Sequence, residues 1–262
     1  MGSDAKSQEG AQPHATSLGV ARESPPTLAE LRRRMAAIPG RGAAAAERMP
    51  LDTELSRESL VVPPALAELL PGGGLPKGSV VAYTGARSLL AGLLAAVTAD
   101  GGHAAVVGVP RLGLLAAVEM GAQLERLAVI ADPGPDPVEV AAVLLDGLDL
   151  VVLGLGGAAV APARTRVIAA RARNKGATLV VTDGRWPGAA LQLEARIAGY
   201  AGLGHGRGRL RSLGLEVEVR GKAGPPRRGR LDLRSAAGRV EWVRREAVTR
   251  AAAPADAREA AS

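Results

Sequence analysis

The segment Gly78-Ser79-Val80-Val81-Ala82-Tyr83-Thr84-Gly85-Ala86-Arg87-Ser88-Leu89-Leu90-Ala91-Gly92 decides the fold. A short apolar run, Val80–Thr84, enters a glycine turn, and an apolar helical pattern follows from Ser88. Strand, glycine turn and helix is the order in which a phosphate-binding loop is built. A working loop reads G-x-x-x-x-G-K-[ST]; its lysine reaches the β/γ-phosphates and its hydroxyl holds Mg²⁺. Counted from Gly85, the second Gly, the Lys and the Ser/Thr fall on Leu90, Ala91 and Gly92. The place of the loop is kept and its chemistry is missing. What remains is Gly85, Ala86, Arg87 and Ser88. Arg87 can pair with phosphate and the helix start offers backbone amides, so weak nucleotide or sulfate binding is one expectation. The other is that Gly85 is a tight turn, with Leu89, Leu90, Leu93 and Leu94 facing a core.

Outward from this segment the pattern is regular. Strands are expected at 80–84, 104–109, 127–131, 148–154 and 178–182, with helices near 88–100, 112–122, 137–145 and 161–174 between them. Short, continuously apolar strands separated by helices predict a largely parallel sheet covered by helices on both faces. A helical patch at 65–70 precedes them. After Thr182 the rhythm changes. Residues 215–220, 230–233 and 239–243 alternate apolar and polar side chains, which predicts added C-terminal antiparallel strands. Residues 1–26 read as a disordered leader and 247–262 as a disordered tail. Residues 27–60 read as a helix and a linker, and 61–246 as the core. In the helix, Leu28, Leu31, Met35 and Ile38 share one face, to dock on the chain's own core or on a partner's groove.

Composition narrows the function. The 262 residues contain no Cys and no Phe, and only two Trp and two Tyr. Thiolate metal sites and disulfides are excluded, and a reducing, cytoplasmic setting is expected. The three His, at 14, 103 and 205, have no ligand spacing, so no metal is expected. No apolar run is long enough to cross a membrane, and no membrane partner is expected. The net charge of +7 is unevenly placed: residues 203–250 carry twelve Arg and one Lys against four Glu and one Asp. Such a stretch meets an acidic partner or is a solvated basic face.

The entry Gly73-Gly74-Leu75-Pro76-Lys77-Gly78 resembles the G-G-L-P-x-G lead into the first core strand of the RecA recombinase family. Met120-Gly121-Ala122-Gln123-Leu124-Glu125-Arg126-Leu127 resembles that family's passage into its third strand. Leu215-Glu216-Val217-Glu218-Val219-Arg220-Gly221-Lys222 resembles its late strand ending in a basic pair. The resemblance, from about Leu69 to Arg244, implies a RecA-like core. The departures point away from catalysis. The family's carboxylate after the second strand is replaced by Gly108-Val109-Pro110-Arg111. Its Asp closing the fourth strand is replaced by Gly154-Leu155-Gly156-Gly157, and its Gln after the fifth by Thr182-Asp183-Gly184. Asp183, alone there, would repel phosphate. Phosphoryl transfer rests on positioning and electrostatics, and every part that supplies them is missing. No catalytic residue and no cofactor are therefore expected.

A degenerate core of this kind resembles the RecA-like accessory proteins of inducible mutagenesis cassettes, the ImuA family in its actinobacterial ImuA-prime form. That resemblance implies a non-catalytic adaptor in damage-induced translesion DNA synthesis. Its partners would be a Y-family polymerase homologue (ImuB-like), a DnaE-type polymerase or RecA. Alternatives are a SulA-like inhibitor of cell division and a weak DNA-dependent ATPase or recombinase. For DNA, the region 184–211 is read as a basic loop with a mobile Gly-rich part at 199–208, giving Arg185, Arg196, Arg207, Arg209 and Arg211 as phosphate contacts. With so few aromatics such binding would be weak. For a protein partner, the Arg-rich end gives Arg227, Arg228, Arg230, Arg239, Arg244 and Arg245, with Trp242 as anchor or as core.

Overall fold

The computed structural model describes residues 59–202, 210–222, 224–236 and 238–245. The expected leader, the helix at 27–38, most of the linker and the tail lie outside the described residues, as do Arg207 and Arg209. The chain enters through β1 (Ser59–Leu60) and a single helical turn, α1 (Pro64–Ala67), and β1 pairs antiparallel with β2 (Leu75–Pro76). Then come β3 (Val80–Gly85), α2 (Arg87–Ala99), β4 (Ala104–Val107), α3 (Leu114–Glu119) and β5 (Leu127–Ile130). These are followed by α4 (Pro137–Leu144), β6 (Leu150–Gly154), α5 (Pro162–Lys175) and β7 (Thr178–Thr182). Four strands close the chain: β8 (Leu191–Ala201), β9 (Ser212–Gly221), β10 (Arg227–Ala236) and β11 (Arg239–Arg245).

Among the described residues, nine strands form one mixed sheet in the order β11-β10-β9-β8-β3-β7-β6-β4-β5. Pairing is parallel from β8 through β5 and antiparallel from β8 through β11. The expected mixed α/β architecture is therefore present, with its antiparallel extension. Right-handed crossovers decide the layers. The steps from β3 to β4 to β5 run one way along the sheet, and the steps back to β6 and β7 run the other. This places α2 and α3 together on one face, and α4 and α5 on the opposite face; each pair is in contact.

The region read as a loop at 184–211 is corrected by β8, an eleven-residue strand paired parallel to β3. Leu191, Leu193 and Ala195 point into the core, while Gln192 and Glu194 point away from it. The strands β9 and β10 are also longer than their apolar cores suggest.

Helix α2 is apolar on nearly every side and is buried between the sheet and α3. Leu89, Leu90, Leu93 and Leu94 are fully buried, as the core-facing expectation for them requires. The antiparallel strands pack the same face of the sheet. Leu193, Leu215, Val217, Leu231 and Leu233 share one cluster with Leu66, Leu69 and α2. Trp242 of β11 reaches α2 at Gly92, where an added Cβ would collide with the indole ring. Trp242 thus packs against this core instead of standing free.

On the opposite face α4 and α5 are tied by ions. Asp136 caps α4 by accepting from the Glu139 amide at 3.1 Å, and it takes two 2.6 Å bonds from Arg164 Nη2 of α5. Arg171 holds Asp146 at 2.9 and 2.5 Å. The Arg164 guanidinium keeps Asp136 below the usual carboxylate range. A depressed folded-state pKa gives stability that is present above the unfolded value, about 3.9, and is lost as the pH falls through the folded value. In urea titrations, wild-type protein should therefore lose stability below about pH 4 more steeply than Asp136→Asn. Asparagine retains the cap. Parallel slopes would show that the pair contributes nothing.

Candidate functional site

The loops at the carboxyl ends of parallel strands form the usual ligand crevice of an open α/β sheet. Here that end is built from β3, β4, β6 and β7, and each contribution closes it.

Only Ala86 separates β3 from α2, where the phosphate-binding motif places four residues between its glycines. Gly85 has φ +110°, and a Cβ there would overlap the carbonyl oxygen of Ala195 on β8. The Ala86 amide donates to that same carbonyl at 2.8 Å, so it is not available to an anion. The Tyr83 hydroxyl, under the turn, donates to the Ala86 carbonyl. Burial, with the Asp183 charge added, pushes that phenol well above its ordinary pKa. Ser88 Oγ is buried with no hydrogen-bond partner.

Arg87, the cation left for a phosphate, donates from Nη2 to Asp183 Oδ2 at 3.1 Å. Asp183 directly follows β7 with φ +54°, in the left-handed region. The expectation that Asp183 stands alone is corrected, because it is the counter-ion of Arg87. The two segments expected to stand in place of acids begin at Gly108 after β4 and at Gly154, which ends β6. These glycines pack backbone to backbone, and a Cβ on Gly154 would fall on the Gly108 carbonyl.

The loops after β6 and β7 are laced together. Gly157 donates to the Asp183 carbonyl at 2.5 Å, Arg185 to Ala158 at 3.0 Å and Val160 to Arg185 at 3.1 Å. A Cβ on Gly184 would collide with Leu155. Trp186 is buried beside them.

The comparisons with known proteins follow this division of the molecule. A family model described as the MT3502 N-terminal domain matches residues 68–188. The uncharacterized protein Rv3395c of Mycobacterium tuberculosis is 56% identical over 169 residues, covering 61% of this chain and 83% of that protein. The chain belongs to the Rv3395c family. The MT3502 match ends just before β8, so it covers the parallel strands β3 to β7 and the loops at their ends, and leaves out β8 to β11.

Those outer strands gather most of the Arg residues singled out in the sequence. On the face away from the core, strand register sets Glu194, Glu218 and Arg228 in one row, and Arg196, Glu216, Arg230 and Arg245 in the next. They line an open groove of about 690 Å³. Many cations of the stretch that is strongly basic in sequence are paired in space, although five Arg still face three Glu around the groove. Glu218 takes Arg220 and Arg228, Glu216 takes Arg230, and Arg196 sits 2.6 Å from Glu194. Both guanidinium groups hold Glu218 below the ordinary carboxylate range. Asp232, buried in β10, takes Arg234 at 3.2 Å and Arg245 at 3.3 Å. Arg244 pairs with Glu68 near α1, and Arg227 donates to the Leu70 carbonyl at 3.5 Å.

The structure therefore joins Arg196, Arg228, Arg230 and Arg245 and separates them from Arg185, which lies with the laced loops. Arg185, Arg211 and Arg239 have no carboxylate partner among the described residues. Sequence reasoning missed the neutralising acids, although Glu216 and Glu218 alternate with apolar residues in β9. No three His, Asp or Glu side chains among the described residues are grouped to hold a metal. No described helix is long and apolar enough to cross a membrane.

Proposed function

We propose that this chain is a non-catalytic RecA-like adaptor in damage-induced translesion DNA synthesis. In that role it holds a Y-family polymerase homologue of the ImuB type in the cytoplasm and supports an error-prone DnaE-type polymerase. The observation that carries the reading is the closed crevice. A one-residue β3–α2 connection, a counter-ion on Arg87 and the Gly108–Gly154 contact leave a triphosphate and its Mg²⁺ neither cradle nor ligands. The position of β3 between β7 and β8, with β4 reached across two strands, supports the RecA-like ancestry. DNA contact is a secondary role in this reading: Arg185 and Arg211 have no carboxylate partner among the described residues, whereas Arg196 is already held by Glu194.

The test uses purified full-length protein. No phosphate release from ATP is expected, with or without single-stranded DNA, together with stable co-purification with the polymerase homologue. Removing residues 246–262 or reversing Arg239 should weaken that complex. Cutting inside β11 is unsuitable because it removes the Trp242 packing. Hydrolysis stimulated by single-stranded DNA would restore the recombinase reading. Inhibition of division-protein polymerisation without polymerase binding would favour the SulA-like one.

A further inference from the structure

The two ends of the nine-stranded sheet are differently protected. The outer strand β11 carries Arg239, Glu241, Arg244 and Arg245, the charged pattern by which edge strands resist pairing. The opposite edge, β5, is Leu127-Ala128-Val129-Ile130, with no charge and no proline. Its Val129 is 48% exposed, and Leu124 just before it is equally so. On α3, Leu115 is 72% and Val118 42% exposed. Leu127 and Val129 point to the face that carries α3, while Ala128 and Ile130 point to the face where α4 packs on β4 and β6. Among the described residues, nothing pairs with the outer backbone edge of β5, and each of its faces is at least partly exposed.

Acids bracket this edge. Glu119 closes α3, Glu125 lies just before β5 and Asp132 just after it; all three are exposed, and none forms an ion pair among the described residues. Arg126, the cation nearest in sequence, is turned inward to the Gly101 carbonyl and Gln123.

We propose that β5 accepts an extended segment of a partner protein as a tenth strand, apolar on both faces and flanked by Lys or Arg. Main-chain hydrogen bonds supply affinity in such β-addition, and the alternating side chains supply specificity. Charge selects the occupant. Pairing β5 with β5 of a second copy would bring Glu119, Glu125 and Asp132 against themselves, and like charges across strands are destabilising. Pairing it with β11 of a second copy would meet a protected edge. The inference rests on the adaptor reading and gives it a docking place away from the Arg-rich strands.

The experiment uses full-length protein and two labelled peptides with the same Val-Ile-Val-Ile core, one flanked by lysine pairs and one by glutamate pairs. Fluorescence anisotropy should show the Lys-flanked peptide binding about ten-fold more tightly. Val129→Lys, on an exposed position, should abolish binding of that peptide. Glu125→Lys combined with Asp132→Lys should reverse the preference. Equal binding of both peptides, or binding unchanged in Val129→Lys, overturns the proposal. So does self-association of the wild type that Val129→Lys removes, since a second copy would then be the occupant. ATP turnover would sink the adaptor reading without changing these peptide results, and peptide failure would leave polymerase co-purification untouched.

Discussion

Gly154→Asp, which places an acid where a Mg²⁺-binding strand end would carry one, should unfold the protein instead of activating it. Gly154 is buried at the end of β6, and its missing Cβ is replaced by the Gly108 carbonyl. Gly108 cannot retreat easily: its amide is bonded to Ile130 at 2.9 Å, and its φ is +66°. The substitution therefore adds main-chain overlap to a buried carboxylate without a partner. Overpacking alone costs about 1–3 kcal/mol, and an unpaired buried charge adds several more or shifts its pKa to become neutral. A loss of at least about 4 kcal/mol is expected, a large share of the stability of an ordinary domain. Chemical denaturation followed by circular dichroism measures it. A stable Gly154→Asp protein that binds Mg²⁺ would show that the crevice opens readily and would remove the main support for the adaptor reading.

Gly85→Ala should be the second severe lesion, with a different cause. At φ +110° any side chain is strained, by about 1–3 kcal/mol. The added methyl would also strike the Ala195 carbonyl, which accepts from the Ala86 amide. Relief requires β8 to move from β3, breaking the junction between the parallel and antiparallel halves of the sheet. A loss of at least about 3 kcal/mol is expected. Hydrogen exchange should show β8 to β10 losing protection together. Gly101→Ala is the useful comparison, since Gly101 also has positive φ but an added Cβ there meets nothing. If the two variants lose the same stability, backbone strain alone accounts for Gly85 and the contact with Ala195 is unimportant.

The parallel half was legible because its strands are apolar throughout. Val80–Thr84 and Thr178–Thr182 have no alternation to misread, and the helices between them are bounded by Pro, Gly and a capping Asp. The strand β8 was hidden by its surroundings. Its alternation, Leu191 to Ala195, is present, but it is flanked by the Gly and Arg residues that mark loops. The ends of β9 and β10 were hidden for a related reason. Arg227 and Arg228 read as loop residues alone, yet β9 supplies Glu218 opposite Arg228, and a cross-strand ion pair makes an Arg-rich strand end tolerable.

The same long-range pairing explains the site. Local sequence shows how many cations a segment holds but not which carboxylates fold onto them, so the ion pairs within the basic stretch were not visible. At the crevice, the missing residue types were readable directly. The physical closure was not, because Gly108 and Gly154 are far apart in sequence and meet only through the pairing of β4 with β6.

The shortness of the β3–α2 junction limits what point substitution can do. Exchange of side chains at Arg87, Ser88 or Ala91 cannot add length to a main chain. No single substitution at those positions makes room for a triphosphate. Such room would take an insertion of several peptide units between two firmly anchored elements.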